Sequence, residues 1–346
     1  MNTTFLKACK GEKTDYTPIW IMRQAGRYLP EYHTVRSTCS FLELCKTPEK
    51  AAEVTIQPID ILDVDAAILF SDILVPLEKM GAALEFQEKR GPVFPNPIRD
   101  KAAVDKLGIP DPEDDLGYVM DTIRILTKEF KDRVPLIGFS GAPFTLATYL
   151  IEGGSSKNYI NTKRMIYENP ELYKALMDKI TDCTIEYLKG QIAAGVQALQ
   201  IFDSWAGVLA PCDFAVAGIP YVRRIIAALK EVSDLPIIYF ANNGATLLDQ
   251  SLTSGADVLG LDWRVNLDDA VRRVDNKVSL QGNMDPLALF LPEDKLEQRV
   301  TNVLEQAKDA RGHIFNLGHG IVPETDPEKA KLAVKLVHEI SRKMKS

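Results

Sequence analysis

The sequence carries little with which to hold a metal. It has four histidines, His33, His313, His319 and His338, and no H-x-C, H-x-x-x-H or C-x-x-C spacing brings imidazoles or thiolates together. Its five cysteines, Cys9, Cys39, Cys45, Cys183 and Cys212, are odd in number and scattered. That pattern fits reduced thiols in a cytosolic protein better than a disulfide framework. No apolar run approaches the roughly 20 residues a membrane helix needs. The opening MNTTFLKACKGEK lacks the apolar stretch of a secretory signal. The expectation is a cytoplasmic protein with no membrane contact and no metal.

Nucleotide and hydrolase signatures are missing too. There is no G-x-x-x-x-G-K-[ST] loop and no G-x-S-x-G elbow. Gly318-His-Gly-Ile-Val-Pro323 imitates a dinucleotide-binding turn, but it ends on proline and has no acidic ribose partner downstream. Solenoid repeats, low-complexity tracts and Gly/Ser linkers are also lacking. A formal net charge of -7 with no strongly basic face argues against a nucleic-acid binder. Any anion site must therefore be local.

What is present is an alternation of short apolar runs with longer amphipathic segments. The runs are 18–22 (PIWIM), 65–70 (DAAILF), 135–139 (PLIGF), 198–202 (ALQIF), 236–240 (PIIYF), 257–261 (DVLGL), 278–282 (VSLQG) and 313–317 (HIFNL). They are too short for buried helices and rich in the residues that fill parallel strands buried on both faces. Thr47-Pro48, Asn169-Pro170 and Asp326-Pro327 each place a capping side chain before a proline, and so open helices. The second of these should run to about Ala194, and the last should bury Ala333, Leu336, Val337 and Ile340. Eight strand-like runs alternating with helices predict a (β/α)8 TIM barrel, with a doubly wound sheet as the alternative. The chain reads as a single domain over 1–346 with an insertion after strand 2, where 84–99 has the look of a hairpin or lid.

In such barrels the active site forms where strands meet their following loops. Those positions hold Arg23, Gln24 and Arg27; Ser71 and Asp72; SGAPFTLATY ending in Tyr149; Asp203 and Ser204; Asn242 and Asn243; Asp262 and Arg264; Asn283 and Asp285; and His319. All eight ends are polar, which predicts a polar mouth. At this level each residue fits two roles. Arg23 and Arg27 either pair with the protein's own carboxylates or clamp an external anion. Asp72 either neutralises Arg23 or serves in proton transfer or cation stabilisation. Tyr149 and His319 suit packing as well as binding, and Ser204 is more naturally a turn residue than a nucleophile, having no histidine near it.

Five segments in order, 20–32 (WIMRQAGRYLPEY), 70–74 (FSDIL), 138–154 (GFSGAPFTLATYLIEGG), 201–207 (IFDSWAG) and 316–321 (NLGHGI), resemble the uroporphyrinogen decarboxylase family. The first and third are long enough to be specific. The resemblance implies a homodimeric (β/α)8 barrel that removes carbon dioxide from the four acetate side chains of uroporphyrinogen III, giving coproporphyrinogen III without a cofactor. It implies that Arg23 and Arg27, with Gln24, Ala25 and Gly26 in their loop, bind substrate carboxylates. Asp72 would bind the pyrrole NH groups and, with Arg23, act in catalysis. Tyr149, Ser204 and His319 would line the cleft, Phe139 and Phe202 would be its apolar wall, and 153–158 would cover the entrance. Gly26 would let the loop pass close to the macrocycle. The rival is a zinc-dependent corrinoid or coenzyme M methyltransferase of the same barrel class, whose H-x-C ligands would fall near Tyr239 and Ala241.

Overall fold

A computed structural model describes residues 2–87 and 91–345. Its strands are β1 (Ala67–Ile68), β2 (Glu85–Gln87), β3 (Gly91–Val93), β4 (Leu136–Gly141), β5 (Ala198–Asp203), β6 (Ile237–Ala241), β7 (Val258–Gly260), β8 (Ser279–Gln281) and β9 (His313–Ile314). Seven of them form one curled parallel sheet in the order β1-β4-β5-β6-β7-β8-β9. Seven of the eight apolar runs thus contain a strand. They are buried on both faces, with every residue of β4 and β6 inside, as parallel strands under helices must be.

The first run differs. Within Pro18–Met22 only Ile19 pairs, in a parallel bridge to Phe315. Phe315 N donates to Pro18 O at 2.8 Å, while Asp65 N donates to Ile19 O at 2.8 Å. This short segment therefore hydrogen-bonds both to the β9 side and to the lead-in of β1. Its side chains explain its burial: Trp20 donates through Nε1 to Gln281 Oε1 at 2.8 Å, deep in the interior.

Helices occupy the intervals. Pro48–Leu62, Pro170–Ala194 and Pro327–Lys345 begin where the prolines predict. Asn169 caps the second through Leu172 N at 3.4 Å, and Asp326 Oδ1 accepts from Glu328 N at 2.9 Å. Thr47 is a correction: its hydroxyl donates to Glu43 O at 2.8 Å, closing the preceding helix, and does not cap the one that follows. Gly195 ends the second helix in the left-handed conformation that glycine tolerates. On the last helix Ala333, Leu336 and Val337 are buried and Ile340 packs against the core.

Between β1 and β4 stands the antiparallel pair β2–β3, with Glu85 opposite Val93. The expectation of a hairpin over 84–99 fits these flanks, while 88–90 lie outside the described residues. Beyond the pair, Val93 bridges Gly154 and Phe94 N donates to Gly153 O at 3.0 Å. The hairpin is thereby joined to the glycine pair that follows helix Pro143–Glu152.

Candidate active site

The C-terminal ends of the parallel strands gather most of the polar side chains singled out above. Arg23 and Arg27 both project from the turn after Met22, exposed, while Gln24 between them is buried. Gln24 is spent on the fold: Oε1 accepts from Ile21 N at 3.0 Å and Nε2 donates to Ala66 O at 3.1 Å. It ties the turn to β1, leaving the arginines as the side chains that face outward. Ala25 and Gly26 are half-buried. A Cβ on Gly26 would stand 2.8 Å from Arg23 O, so the tightness of the turn itself already requires glycine there. Arg23 holds a left-handed backbone, φ 64°, uncommon for a residue with a side chain and a form of strain that clusters at functional sites.

The free or paired state of these arginines decides between their two roles. Among the described residues neither Arg23 nor Arg27 forms an ion pair or donates a side-chain hydrogen bond. Other arginines are saturated: Arg224 is bound to both Asp178 and Asp182, and Arg124 to Glu113 and Asp121. Asp72 does not neutralise Arg23 at ion-pair distance. Its Oδ1 accepts from Leu74 N at 2.8 Å.

The charge of Arg23 nevertheless acts on three site groups, in each case beside a larger effect of burial. Burial pushes the Asp72 carboxyl up to about 6, with the Leu74 amide and the charge of Arg23 opposing. Burial and the Asp72 charge raise the Tyr149 phenol, against Trp205 and Arg23. Burial lowers the His319 imidazole to about 4, and Arg23 and Arg264 lower it further against Asp262. His319 is therefore neutral at physiological pH, able to donate one hydrogen bond, and its ring bonds to none of the described residues. One guanidinium thus touches the energetics of three predicted site residues from three different loops.

The wall is aromatic. Phe139 and Phe202, on neighbouring strands, meet edge to face with centroids 5.6 Å apart. Tyr149 lies 6.1 Å from the Trp205 ring, next to half-buried Ser204. Beneath them Asp203 is fully buried, accepting from Thr145 Oγ1 at 2.6 Å and Tyr239 Oη at 2.8 Å. Burial still holds its carboxyl up at about 6 against those two bonds. Thr145 Oγ1 in turn accepts from Trp205 N at 3.1 Å, so this network fixes the loop that carries Ser204.

Two features escaped the sequence reading. Gly320 leaves the room that Arg23 occupies, its would-be Cβ standing 2.3 Å from Arg23 Cδ. Trp263 stacks under Arg264, with Cζ 4.1 Å from the ring centroid. An arginine directly after an exposed tryptophan at a strand end was the available signal for the second; nothing local marks the first.

A family model described as Uroporphyrinogen decarboxylase (URO-D) matches residues 1–340. The chain belongs to the uroporphyrinogen decarboxylase family. The uroporphyrinogen decarboxylase of Desulfotalea psychrophila is 65% identical over 343 residues, covering 99% of this chain and 100% of the relative. That of Geobacter sulfurreducens is 55% identical over 343 residues, again 99% and 100% of the two chains. The family fold extends well beyond its sequences. A methyltransferase from Methanosarcina mazei superposes with a TM-score of 0.81 at 18% identity, covering 97% of each chain. A B12-independent methionine synthase from Shewanella reaches 0.60 at 13% identity over 88% and 90%. These likenesses speak for architecture alone. Near the place where the rival methyltransferase reading would put a zinc-binding H-x-C stand Tyr239, whose hydroxyl is bonded to Asp203, and Ala241. Among the described residues no group of three His, Cys, Asp or Glu side chains is placed to hold a metal, and no helix is long and apolar enough to cross a membrane.

Proposed function

We propose that this chain decarboxylates the four acetate side chains of uroporphyrinogen III to methyls, giving coproporphyrinogen III. The observation that carries the reading is the pair Arg23 and Arg27, exposed and without a carboxylate partner among the described residues, near a half-buried aspartate. In a chain of net charge -7, unpaired arginines at one mouth select a polyanion locally while the overall charge discourages nonspecific anions. The substrate has eight carboxylates around an electron-rich ring.

Decarboxylation leaves an electron pair that must be accommodated. A pyrrole protonated on carbon takes the place of a cofactor sink. Asp72, bound to the central pyrrole NH groups, stabilises that cation as a fixed, preorganised charge. Arg23 positions the reacting unit and assists protonation. Arg27, with Ala25 and Gly26 in the same turn, holds a second carboxylate; Gln24 supports the turn from behind. Tyr149, Ser204 and neutral His319 offer hydrogen bonds to side-chain carboxylates, and Phe139 and Phe202 flank the ring. The curled sheet is a single-domain (β/α)8 barrel over 1–346, closed by Pro18–Met22, with the β2–β3 hairpin as an insertion after its second strand. Joined to Gly153 and Gly154, the hairpin belongs to the cover of the entrance together with 153–158. The protein works in the cytoplasm as a homodimer, without nucleic acid, membrane, metal or cofactor.

Anaerobic incubation with uroporphyrinogen III tests this reading. Products with seven to four carboxyl groups appear in turn if it holds. Tight binding of the tetrapyrrole without carbon dioxide release would make the protein a carrier instead.

A further inference from the structure

Arg264 is the one strand-end arginine whose role the site described above leaves open. It follows β7, in a loop clamped from two sides: Asn283 Nδ2 donates to Asp262 O at 2.8 Å and to Val265 O at 2.7 Å. The same loop is pressed against the Gly318-His319-Gly320 turn, where a Cβ on Gly318 would come within 2.6 Å of Trp263 N and 2.9 Å of its ring. Position is thus imposed on the backbone of residues 262–265 independently of the Arg264 side chain.

Two observations separate Arg264 from a structural arginine. Its single ion pair among the described residues is a contact to Asp262 Oδ1 at 3.4 Å, without a side-chain hydrogen bond. Asp262 has other donors, accepting from Arg264 N at 2.8 Å and Gly244 N at 3.3 Å. Meanwhile its guanidinium lies on the Trp263 face at 4.1 Å, with the arginine side chain 44% exposed and the tryptophan 36%. A guanidinium held through its face keeps its in-plane N–H donors for a planar anion, and stacking spares it the entropy of searching for one. Its charge acts on His319, as does that of Arg23, and both lower the imidazole pKa.

We propose that Arg264, braced on Trp263, is a third carboxylate clamp of the mouth and binds a side-chain carboxylate of the substrate next to His319. This rests on the decarboxylase reading above and deepens it. Two arginines in one turn serve neighbouring carboxylates; a substrate with carboxylates around its whole rim needs a cation on another loop to fix its orientation. Arg264 acts on binding and orientation, and touches no reacting atom.

The test compares wild type, Arg264→Gln and Arg264→Lys in anaerobic turnover of uroporphyrinogen III across ionic strengths. Arg264→Gln should raise KM about 10-fold while kcat changes much less, the signature of lost ground-state binding. Its kcat/KM should also depend less steeply on salt than the wild type, because one cation no longer attracts the polyanion. Arg264→Lys should recover part of the KM, keeping the charge while losing the stacked fork. Unchanged KM and salt dependence in Arg264→Gln, with the wild type active, would overturn the third clamp alone. No turnover by the wild type would overturn the decarboxylase reading and this proposal with it. A loss of folding in Arg264→Gln with full activity in Arg264→Lys and unaltered salt dependence would make the residue structural and also overturn it.

Discussion

Arg23 and Gly320 share one space: a Cβ on Gly320 would stand 2.3 Å from Cδ and 2.7 Å from Cγ of Arg23. The glycine lies between His319 and Ile321, whose backbone N donates to Met22 O at 2.9 Å, so the two loops are also stitched together. Gly320→Ala should therefore displace Arg23 and leave the fold intact. We expect kcat/KM to fall by about 10- to 100-fold, the scale of one lost charge-assisted contact. Unfolding should change by less than about 1 kcal/mol, since the arginine is at the surface. Steady-state kinetics paired with urea unfolding checks both halves.

Arg27 and Arg224 make a contrasting pair. Arg27 has no carboxylate partner among the described residues, and Arg224 has two. Arg27→Ala should cut kcat/KM by about 10- to 100-fold with stability unaltered. Arg224→Ala should leave kcat/KM within about 2-fold and cost at most about 1 kcal/mol, as exposed ion pairs do. The reverse assignment of effects would mean that Arg27 serves the fold.

Asp72 sets a pH dependence whose sign differs for activity and stability. Burial first, against the Leu74 amide and Arg23, raises its pKa from 3.8 to about 6. The carboxylate stabilises the cationic intermediate, so kcat should decline as pH falls through about 6. For folding, a raised native pKa means that the native state holds the proton more tightly. Ionised Asp72 therefore costs stability above about pH 6, and the cost is relieved as pH falls towards 3.8. Asp72→Asn, which keeps an acceptor for Leu74 N, should stabilise the protein at pH 8 by about 1–3 kcal/mol. Urea unfolding of both proteins at pH 8 and pH 5 reads this out.

Asp65 is the clasp between the two ends of the chain. Its carboxylate accepts from Tyr16 Oη at 2.6 Å, Asn2 Nδ2 at 2.9 Å and Ile19 N at 2.8 Å, and faces His338 Nε2 at 2.7 Å. Asp65→Ala strands several buried donors and should destabilise by about 3–5 kcal/mol. Because Ile19 leads into the Arg23 turn, the variant should lose activity at a denaturant concentration below that of global unfolding. Loss of activity and of native fluorescence at the same midpoint would show that the clasp serves the whole fold alone.

The strands and helix starts were legible because each rests on local chemistry. Continuous Ile, Val, Leu and Phe runs mark strands covered on both faces, and Asn169-Pro170 and Asp326-Pro327 mark helix entries. Pro18–Met22 misled in part: its apolar run reads as a strand, yet only Ile19 pairs, because Trp20 and the Gln24 turn direct the chain inward. Thr47 reads as a cap from position alone, but a competing carbonyl four residues back takes its hydroxyl. At the site, Arg23, Asp72, Tyr149 and His319 could be picked out as strand-end residues. Their mutual influence through Arg23 could not, since it depends on loops far apart in sequence. The same holds for Gly320, whose purpose is a neighbour nearly three hundred positions away.

Whether the Asp72 carboxylate carries the decarboxylation is decided by comparing Asp72→Asn with the wild type. Carbon dioxide release and tetrapyrrole binding by Asp72→Asn and wild type are measured side by side, anaerobically, with uroporphyrinogen III. The wild type should release four carbon dioxide molecules per tetrapyrrole. The folded variant should still bind substrate through its arginines but turn over at least about 100-fold more slowly, the scale of a lost transition-state electrostatic contact. Near-normal turnover by folded Asp72→Asn would contradict it.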